Sequence, residues 1–572
     1  MLRKHWFVGC AIAPICRWRL ASESRQRSTC VMFGDMPMPL LLVARSFKRS
    51  SAVAAKIKSL GGLVNLFADY YSRRTMALNL HPSFDQFCRV AKDGNVVPVY
   101  AEIIADCDTP VSAFRKLNDG GPSFLFESTE QNERTGRYSF LGFHPRLVMR
   151  SDGASFSIEE NGQTRSSPIL RDPLVHLQDV MHRFRFVPAA ELPRCAGGAV
   201  GYVGYDVVRS FEPTIPAAKT DELGLPEMMF MIMGLLVVFD HRERRMKLIA
   251  NVFLDDQPNK ATAYGAAKAL IEAALTKLSS PCELRYIDAQ LTTAPADMQS
   301  NMSREGFEIA VQEIKQHIVA GDIFQAVLSQ RFRTEFVGDP LDLYRCLRLI
   351  NPSPYMFCLH FAADFSLVGS SPELHVRVAD GMVELRPIAG TRRRGGNAEE
   401  DQRNADELLS DTKERAEHVM LVDLARNDLG RIAEFGSVRV TEQMVVERYS
   451  HVMHLVSHII AKLAAGKTAY DVMRATFPAG TVSGAPKIRA MQIINALEPE
   501  KRGCYAGAVG YFGFDGALDC CIALRSIVLK GNRAYIQAGA GIVADSNPAA
   551  EYQETVSKAM ATMQAIARAA EI

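Results

Sequence analysis

The 572-residue sequence lacks the features that mark several large classes of protein. It has no internal repeat of short period, no fibrous or collagenous composition and no low-complexity segment. Its longest apolar run, Met228 to Phe239, is about twelve residues, whereas a membrane-spanning helix needs ~20. We therefore expect a globular protein without a membrane span, and a buried strand at this run.

The cysteines also lack the spacing of a metal site or a disulfide framework. The twelve cysteines are scattered, form no CxxC pair, and only Cys520 and Cys521 are adjacent. This usage fits neither a zinc ribbon nor a disulfide-rich secreted domain and favours a reducing compartment. We therefore expect a cytoplasmic protein.

Acidic residues are scarce in the first 75 residues, which hold 13 Lys and Arg against Glu23, Asp35 and Asp69. Without this leader, 53 basic and 61 acidic residues remain, so the formal charge is −8 instead of +2. The leader is either a transit peptide, which would imply a plastid or another organelle, or translated sequence upstream of a start at Met76. In both cases residues 1–75 are excluded from the fold. The acidic remainder gives no reason to expect nucleic-acid binding.

Hairpin signals outnumber strand–helix–strand units along the rest of the chain. Strand-like runs with polar turns dominate residues 76–290, and residues 300–572 alternate strands with helices, among them 411–430 and 549–570. The Asp-Gly pairs at 380–381 and 515–516 predict tight hairpins. We predict an α+β fold of layered antiparallel sheets flanked by helices, with an N-terminal half (76–290) and a second region (300–572).

The helix predicted over residues 411–430 carries acids where a core helix would not. Asp411 and Glu414 have capping-box spacing, and Gly430 is placed to end the helix. Glu414, Glu417 and His418 share one helical face. Two interpretations stay open here: a cap with a solvated acid, or a cation or acid/base site.

The last helix presents a similar face with Glu551, Glu554 and Lys558 at i, i+3 and i+7. The simpler interpretation is a surface Glu–Lys pair worth only ~0.3–0.5 kcal/mol. The preceding glycine-rich loop, however, lets backbone N–H groups approach an anion. Because Mg²⁺ needs only one or two protein carboxylates beside water and substrate oxygens, one acid from each of the two helices would suffice.

Two glycine patterns resemble nucleotide motifs without meeting their requirements. Residues 539–544 imitate a dinucleotide fingerprint but lack the acid ~20 residues further on, and residues 480–487 lack the P-loop spacing. Arg525 is predicted to lie on a strand, half-buried, with a carboxylate or a ligand as its partner. The residues alone do not distinguish among His451, His454 and His458.

Taken together, these residues lie in motifs that resemble the anthranilate synthase component I family of chorismate-utilising enzymes. The resemblance runs from about Pro98 to Ala569. Its most specific stretches are DIFQAVLSQ (322–330), GSSPE (369–373), RPIAGTRRRG (386–395), AEHVMLVDLARNDLGR (416–431), GTVSGAPKIRAMQ (480–492) and QAGAGIVADSNP (537–548).

The resemblance implies a role for each matching residue. It makes Glu417 and Glu554 direct Mg²⁺ ligands, with Glu414 and Glu551 binding directly or through water. It makes Glu373 the acid that protonates the departing 4-hydroxyl of chorismate, and it associates His454 with the later loss of pyruvate. The positions it assigns to chorismate binding are Gly390, Thr391, Thr481, Gly484, Tyr505, Arg525, Gly539 and Gly541.

Two positions separate this family from its sister activities. Members that add water to chorismate carry a lysine base where this chain has Gln325, and aminodeoxychorismate synthases often carry a lysine nucleophile where it has Ala389. The resemblance therefore implies direct attack of ammonia at C2 and elimination of pyruvate to give anthranilate, the first committed step of tryptophan biosynthesis. The alternative is aminodeoxychorismate synthase component I.

The resemblance also implies partners. The chain has no convincing glutaminase motif of its own, so a separate glutamine amidotransferase subunit (component II) would supply ammonia in a hetero-oligomer. Tryptophan is expected as a feedback inhibitor. Its site is expected at Glu127 and Ser128 of FLFES and at Asn351, Pro354, Tyr355 and Met356 of NPSPYMF.

Overall fold

The computed structural model describes residues 78–128, 136–217, 220–255, 259–288, 293–449 and 452–572. Residues Asn79–Ile572 form one compact unit. The predicted leader, the expected start at Met76 and His451 lie outside the described residues. The division at 290–300 remains a prediction.

The strands of the described ranges are given in chain order. They are β1 (Leu80–His81), β2 (Val96–Ile104), β3 (Ser123–Glu127), β4 (Tyr138–Ser151), β5 (Ser155–Glu160), β6 (Gln163–Pro168), β7 (Gly198–Val203), β8 (Met228–Asp240), β9 (Arg245–Phe253), β10 (Gln299–Ser300), β11 (Gln325–Glu335), β12 (Tyr355–Ala362), β13 (Phe365–Ser371), β14 (Leu374–Ala379), β15 (Met382–Leu385), β16 (Ile388–Arg393), β17 (Arg439–Arg448), β18 (Val452–Lys462), β19 (Gly484–Ala485), β20 (Ala508–Gly513), β21 (Leu518–Ile522), β22 (Ser526–Lys530) and β23 (Arg533–Ile542).

The α-helices of the same ranges are numbered separately. They are α1 (Phe84–Val90), α2 (Pro110–Leu117), α3 (Pro173–His182), α4 (Val208–Phe211), α5 (Lys260–Leu278), α6 (Arg304–Val319), α7 (Pro340–Ile350), α8 (Ala398–Ser410), α9 (Thr412–Gly430), α10 (Ala469–Thr476), α11 (Lys487–Leu497) and α12 (Pro548–Ala569). A 3-10 turn at Gly480–Val482 precedes β19. None of the described helices is long and apolar enough to cross a membrane.

The sheet joins strands from both predicted halves of the chain. Where the structure describes the chain, every ladder between the strands is antiparallel, which confirms the predicted α+β class. One run of pairs follows the order β9–β8–β4–β3–β12–β13–β22–β23–β11. A second run leaves β8 through β7, β20, β21, β14 and β15 to β18. The apolar run at 228–239 is a buried strand, as predicted.

The two Asp-Gly hairpins form, but with different turns. Asp380 and Gly381 both have positive φ, +51° and +74°, so the β14–β15 hairpin has the predicted two-residue turn. At the second site only Gly516 has positive φ, +83°, and the loop closes through a hydrogen bond from Gly513 N to Ala517 O. The predicted β20–β21 hairpin is therefore present with a longer loop.

Helix α9 begins and ends as predicted, although its caps work differently. The Asp411 carboxylate accepts hydrogen bonds from the backbone N–H groups of Lys413 and Glu414, at 2.9 and 3.1 Å. The Glu414 side chain does not complete a capping box, because Arg392 Nη1 donates to it at 3.2 Å. Gly430 is the last helical residue and Arg431 caps the end in a right-handed conformation, so no left-handed glycine is used.

Helices α6 and α11 cover the sheet where β11 and β23 pair. Phe307, Val311 and Ile314 of the predicted α6 stripe are buried against Leu328 of β11 and Ile542 of β23. Burial of side chains of this size stabilises a fold by about 1.5–3 kcal/mol each. These helices fix the ends of β11 and β23 that border the cavity described next.

Candidate active site

A cavity of about 560 Å³ lies between two helices, α9 and α12, and the strands β11, β16, β18 and β23. Its volume is within the range of small-molecule sites. It brings together every predicted catalytic, metal-binding and chorismate-binding residue except Gly484. The predicted residues that line it are Gln325, Glu373, Gly390, Thr391, Glu414, Glu417, His454, Thr481, Tyr505, Arg525, Gly539, Gly541, Glu551 and Glu554.

Glu417 of α9 contacts the strand opposite through Gln325. The Gln325 amide, at the start of β11, donates to Glu417 Oε1 at 2.9 Å. A Cβ at Gly541 would lie 2.6 Å from Gln325 Nε2, so a side chain there would displace the Gln325 amide from this position. Burial raises the pKa of Glu417, the Gln325 hydrogen bond opposes the rise, and the neighbouring charge of Glu414 adds to it. The carboxylate is thus placed where a cation would stabilise its charged form.

His418 shares the predicted helical face with Glu417, but the structure separates the two. His418 is fully buried and its Nε2 lies 2.6 Å from Ser457 Oγ. Burial lowers its pKa to about 4, so the ring is neutral. Of the three residues predicted to share one face of α9, Glu414 and Glu417 therefore line the cavity, and His418 belongs to the core.

The second acidic helix, α12, supplies Glu551 and Glu554. Burial raises the pKa of Glu551, and the nearby charge of Glu554 adds to the rise. Lys558 Nζ lies 2.7 Å from Glu554 Oε1 and donates to the Gly539 carbonyl at 3.0 Å. Lys558 lines the cavity although we assigned it no role from sequence. The signal was its position seven residues after Glu551, on the same face.

The carboxylates fit a hard cation by their donor chemistry. In the described ranges, no three His, Cys, Asp or Glu side chains lie close enough together to hold a metal ion by themselves. Glu414, Glu417, Glu551 and Glu554 nevertheless line one cavity from two helices. Because Mg²⁺ binds one or two carboxylates and completes its shell with water and substrate oxygens, this arrangement is compatible with it.

Glu373 is the buried acid of the cavity. It follows β13 after Pro372, and only 7% of its surface is exposed. Burial raises its pKa to about 8. Among the described residues it forms no ion pair, so its carboxyl group holds a proton at neutral pH and can donate it.

His454 lies on β18, where it pairs in register with Thr391 of β16. Its Nδ1 is 2.8 Å from the Gly390 carbonyl oxygen. Since a carbonyl can only accept, Nδ1 carries the hydrogen and Nε2 keeps its lone pair. Burial lowers the pKa of His454, which keeps the ring neutral. Gly390 has φ +65°, a conformation that favours glycine, so the backbone turns its carbonyl to the ring.

Arg525 does not lie on a strand, contrary to our prediction. It occupies the junction between β21 and β22 with φ +47°. Its Nη1 donates to Asn351 Oδ1 at 3.3 Å, and within the described part of the chain it has no carboxylate partner. Burial lowers its pKa. An unneutralised guanidinium at the cavity wall suits an anionic ligand, the second of the two predicted partners.

Gly484 is the predicted residue that the cavity does not include. It lies in β19 with φ +143°, and a Cβ there would lie 2.2 Å from the Gln325 carbonyl oxygen. Its contribution is the close packing of residues 484–485 against β11. Thr481, three residues earlier, lines the cavity.

The residues predicted to bind tryptophan gather at the β3–β12 pair, where Met356 is opposite Glu127. The Tyr344 hydroxyl donates to Glu127 Oε2 at 2.6 Å, and Arg348 approaches Oε1 at 3.5 Å. Ser128 Oγ is buried and has no hydrogen-bond partner among the described residues. Asn351 and Pro354 belong to the segment leading into β12, and Tyr355 is the first residue of that strand. Asn351 also contacts Arg525, which lines the cavity, so Asn351 lies between the cavity and the predicted tryptophan site.

Comparison with known proteins gives consistent matches over this region. The family of chorismate binding enzymes matches residues 121–564. Anthranilate synthase component 1 of Acetivibrio thermocellus is 44% identical over 495 residues, 86% of this chain and 99% of that protein. The Pseudomonas putida protein of that name is 46% identical over 489 residues, 85% and 98% of the two chains. A crystal structure of anthranilate synthase component I from Streptococcus pneumoniae superposes with a TM-score of 0.66 at 40% identity, covering 81% and 99%.

Proposed function

The chain belongs to the chorismate-binding enzyme family, among the anthranilate synthase component 1 proteins, and we propose that the cavity is its active site. It is a lyase that converts chorismate to anthranilate, the first step of tryptophan biosynthesis. The observation that supports the site most directly is that a neutral acid, a neutral imidazole, an unneutralised arginine and two acidic helix faces line one cavity.

Chorismate carries two carboxylates, and the cavity offers a different partner for each. Glu417 and Glu554 would hold Mg²⁺, with Glu414 and Glu551 beside them. Mg²⁺, when bound, supplies a positive centre for the ring carboxylate. Gly390 and Thr391 border that end. Arg525, with Tyr505 and Gly541, binds the enolpyruvyl carboxylate through charge-assisted hydrogen bonds.

The first step adds ammonia at C2 and removes the 4-hydroxyl. Hydroxide is too basic to leave unassisted, so Glu373 gives its proton to the departing oxygen, which leaves as water. Ammonia is already a nucleophile, and Gln325 has no basic nitrogen with which to activate water instead. Ala389 offers no amine for a covalent intermediate. Gln325 thus argues against the addition of water, and Ala389 argues against the product of aminodeoxychorismate synthase component I.

The second step restores aromaticity. His454, with its Nε2 lone pair available, takes the proton from C2, the bond between ring C3 and the enolpyruvyl oxygen breaks, and the ring becomes aromatic. The departing enolpyruvate gains a proton on its methylene carbon and becomes pyruvate. A histidine that is neutral at working pH is suited to accept this proton. The Gly390 carbonyl fixes the tautomer throughout.

Ammonia supply and regulation complete the proposal. The designation component 1 among the relatives implies a second component. We infer that this partner is a glutamine amidotransferase and that the working protein is a hetero-oligomer. Tryptophan binds at Glu127, Ser128, Asn351, Pro354, Tyr355 and Met356 as a feedback inhibitor. The protein acts in the cytoplasm.

Product identification tests the proposal. The purified chain is incubated with chorismate, ammonium and Mg²⁺, and the products are followed by fluorescence and separated by chromatography. We expect anthranilate and pyruvate in equal amounts, and loss of activity when EDTA removes the metal. Formation of 4-amino-4-deoxychorismate or isochorismate would overturn the proposed reaction.

A further inference from the structure

Arg502 is a buried arginine immediately behind the wall of the cavity. It follows α11, and only 2% of its surface is exposed. Its Nε donates to Glu498 Oε2 at 2.8 Å and its Nη2 to Glu498 Oε1 at 2.6 Å. Glu498 is itself 5% exposed. Two parallel hydrogen bonds fix both the position and the plane of the guanidinium.

The remaining donors of Arg502 bind two separate backbone segments. Its Nη1 donates to the Val482 carbonyl at 2.8 Å and its Nη2 to the Val327 carbonyl at 2.7 Å. Val482 ends the 3-10 turn at 480–482 and Val327 lies on β11, and both residues line the cavity. One guanidinium therefore sets the spacing between these two parts of the wall.

Glu498 extends the network to a second strand. Its Oε1 accepts from the backbone N–H and the hydroxyl of Ser329 on β11, at 2.8 and 2.7 Å. The Gln537 amide of β23 donates to Ser329 Oγ at 2.8 Å, and Gln537 also lines the cavity. The carboxylate thus connects α11 to both central strands of the site.

Aromatic rings hold the guanidinium on its faces. Arg502 Cζ lies 4.5 Å from the ring centroid of Tyr205 and 5.6 Å from that of Tyr505. A cation over an aromatic face is attracted to it, more strongly when desolvated. Since Tyr505 borders the cavity, its ring is placed partly by Arg502.

We propose that Arg502 and Glu498 are a positioning pair for chorismate binding. The pair touches no substrate and acts through the Val482 and Val327 carbonyls and the Tyr505 ring. This inference rests on the proposed function of the cavity. A purely stabilising role is the alternative, but buried ion pairs are often no more stabilising than well-packed apolar side chains of similar volume.

The test compares three variants with the wild-type chain: Arg502→Met, Arg502→Lys, and the double variant Arg502→Met with Glu498→Leu. Arg502→Met leaves Glu498 charged and buried, so both stability and kcat/KM should fall. The double variant removes both charges. We expect its thermal midpoint to recover while its KM for chorismate stays raised at least about tenfold. The reason is that the Val482 and Val327 carbonyls still lack a hydrogen-bond donor and the Tyr505 ring still lacks its contact with the guanidinium.

Arg502→Lys keeps the charge but has a single nitrogen for four acceptors. It should fold and show a KM for chorismate between those of the wild type and the double variant. It also keeps the inference falsifiable if Arg502→Met does not fold.

A matched control is the ion pair between Arg474 of α10 and Asp172 before α3. It too is bidentate, at 3.1 and 3.0 Å, and neither residue lines the cavity. The double variant Arg474→Met with Asp172→Leu should change the thermal midpoint alone. Chorismate binding by calorimetry is measured in every variant, so the comparison holds even if the wild type gives a product other than anthranilate.

A folded Arg502/Glu498 double variant with wild-type KM, kcat and chorismate affinity would overturn the positioning role. So would an equal rise of KM in the Arg474/Asp172 control. Failure of the wild type to make anthranilate, with chorismate affinity still dependent on Arg502, would refute the proposed reaction and leave the positioning role intact.

Discussion

Glu373 in the cavity and Glu127 at the predicted tryptophan site are almost equally buried, with 7% and 6% of their surfaces exposed. Their surroundings differ. Glu127 accepts from the Tyr344 hydroxyl and has Arg348 nearby, whereas Glu373 forms no ion pair among the described residues. Burial raises the pKa of Glu373 to about 8, although hydrogen bonds with Thr481 and the Ile388 backbone and the charge of Lys558 oppose the rise. Glu127 is thus held by Tyr344 and Arg348, whereas Glu373, buried without an ion pair among the described residues, is suited to donate a proton.

The largest expected effect comes from removing the proton of Glu373. Glu373→Gln should lower kcat by about 10²–10⁴-fold, the usual contribution of a general acid. Anthranilate formation under saturating chorismate measures it. Glu127→Gln is the matched control and should leave uninhibited turnover within about twofold. Equal losses in both variants would remove the distinction between the two glutamates.

The pH dependence of kcat provides a second test of Glu373 as the proton donor. Because the pKa of Glu373 is raised, the group stays protonated at neutral pH and loses its proton as the pH rises through about 8. The rate should then fall about tenfold per pH unit above that value. Lys558, whose charge favours the ionised form, is the cation acting on Glu373. The residual activity of Glu373→Gln should lack this alkaline limb, and its persistence would assign the limb to another group.

A larger side chain in the predicted tryptophan site should weaken inhibition by tryptophan without lowering the uninhibited rate. Ser128 is half-buried beside Glu127, so Ser128→Phe fills space that a bound ligand would need. We expect the tryptophan concentration for half inhibition to rise about tenfold or more, since overpacking costs about 1–3 kcal/mol. Initial rates with and without tryptophan provide the measurement. Unchanged inhibition would remove the assignment of this site.

The smallest effect is expected from a substitution at Asn351, which lies between the cavity and the predicted tryptophan site. Asn351→Ala removes the hydrogen bond between the Arg525 guanidinium and Asn351 Oδ1, and a bond of this kind contributes about 1 kcal/mol. KM for chorismate should rise by roughly fivefold, while tryptophan inhibition weakens as well. A variant that changes inhibition alone would show that Arg525 does not depend on Asn351.

Sequence patterns predicted elements well and side-chain directions poorly. The acids of α9 and α12, the buried strand at 228–239 and the antiparallel class followed from periodicity, turn residues and the family resemblance. His418 was placed on the same face as Glu417, yet it turns to Ser457, because a helical wheel does not show which neighbour covers each residue. Arg525 was placed on a strand because the apolar residues Ile522, Leu524 and Ile527 flank it, whereas the strand ends before it and its φ is positive.

The functional residues that the sequence did not reveal depend on contacts between distant parts of the chain. Nothing local to residue 502 marks it, because its partners Val327 and Val482 are far away in sequence and bind through backbone carbonyls. Lys558 carried only the pattern of a surface pair. Such residues become recognisable only when the strands and helices that bring them together are known.

A crystal structure of the Glu373→Gln variant with chorismate and Mg²⁺ tests the central claim most directly, since slow turnover preserves the substrate. The account predicts Mg²⁺ at about 2.0–2.1 Å from carboxylate oxygens of Glu417 and Glu554. It also predicts the ring carboxylate on the ion and the enolpyruvyl carboxylate at Arg525. Chorismate bound outside this cavity, or with its ring carboxylate at Arg525, would contradict it.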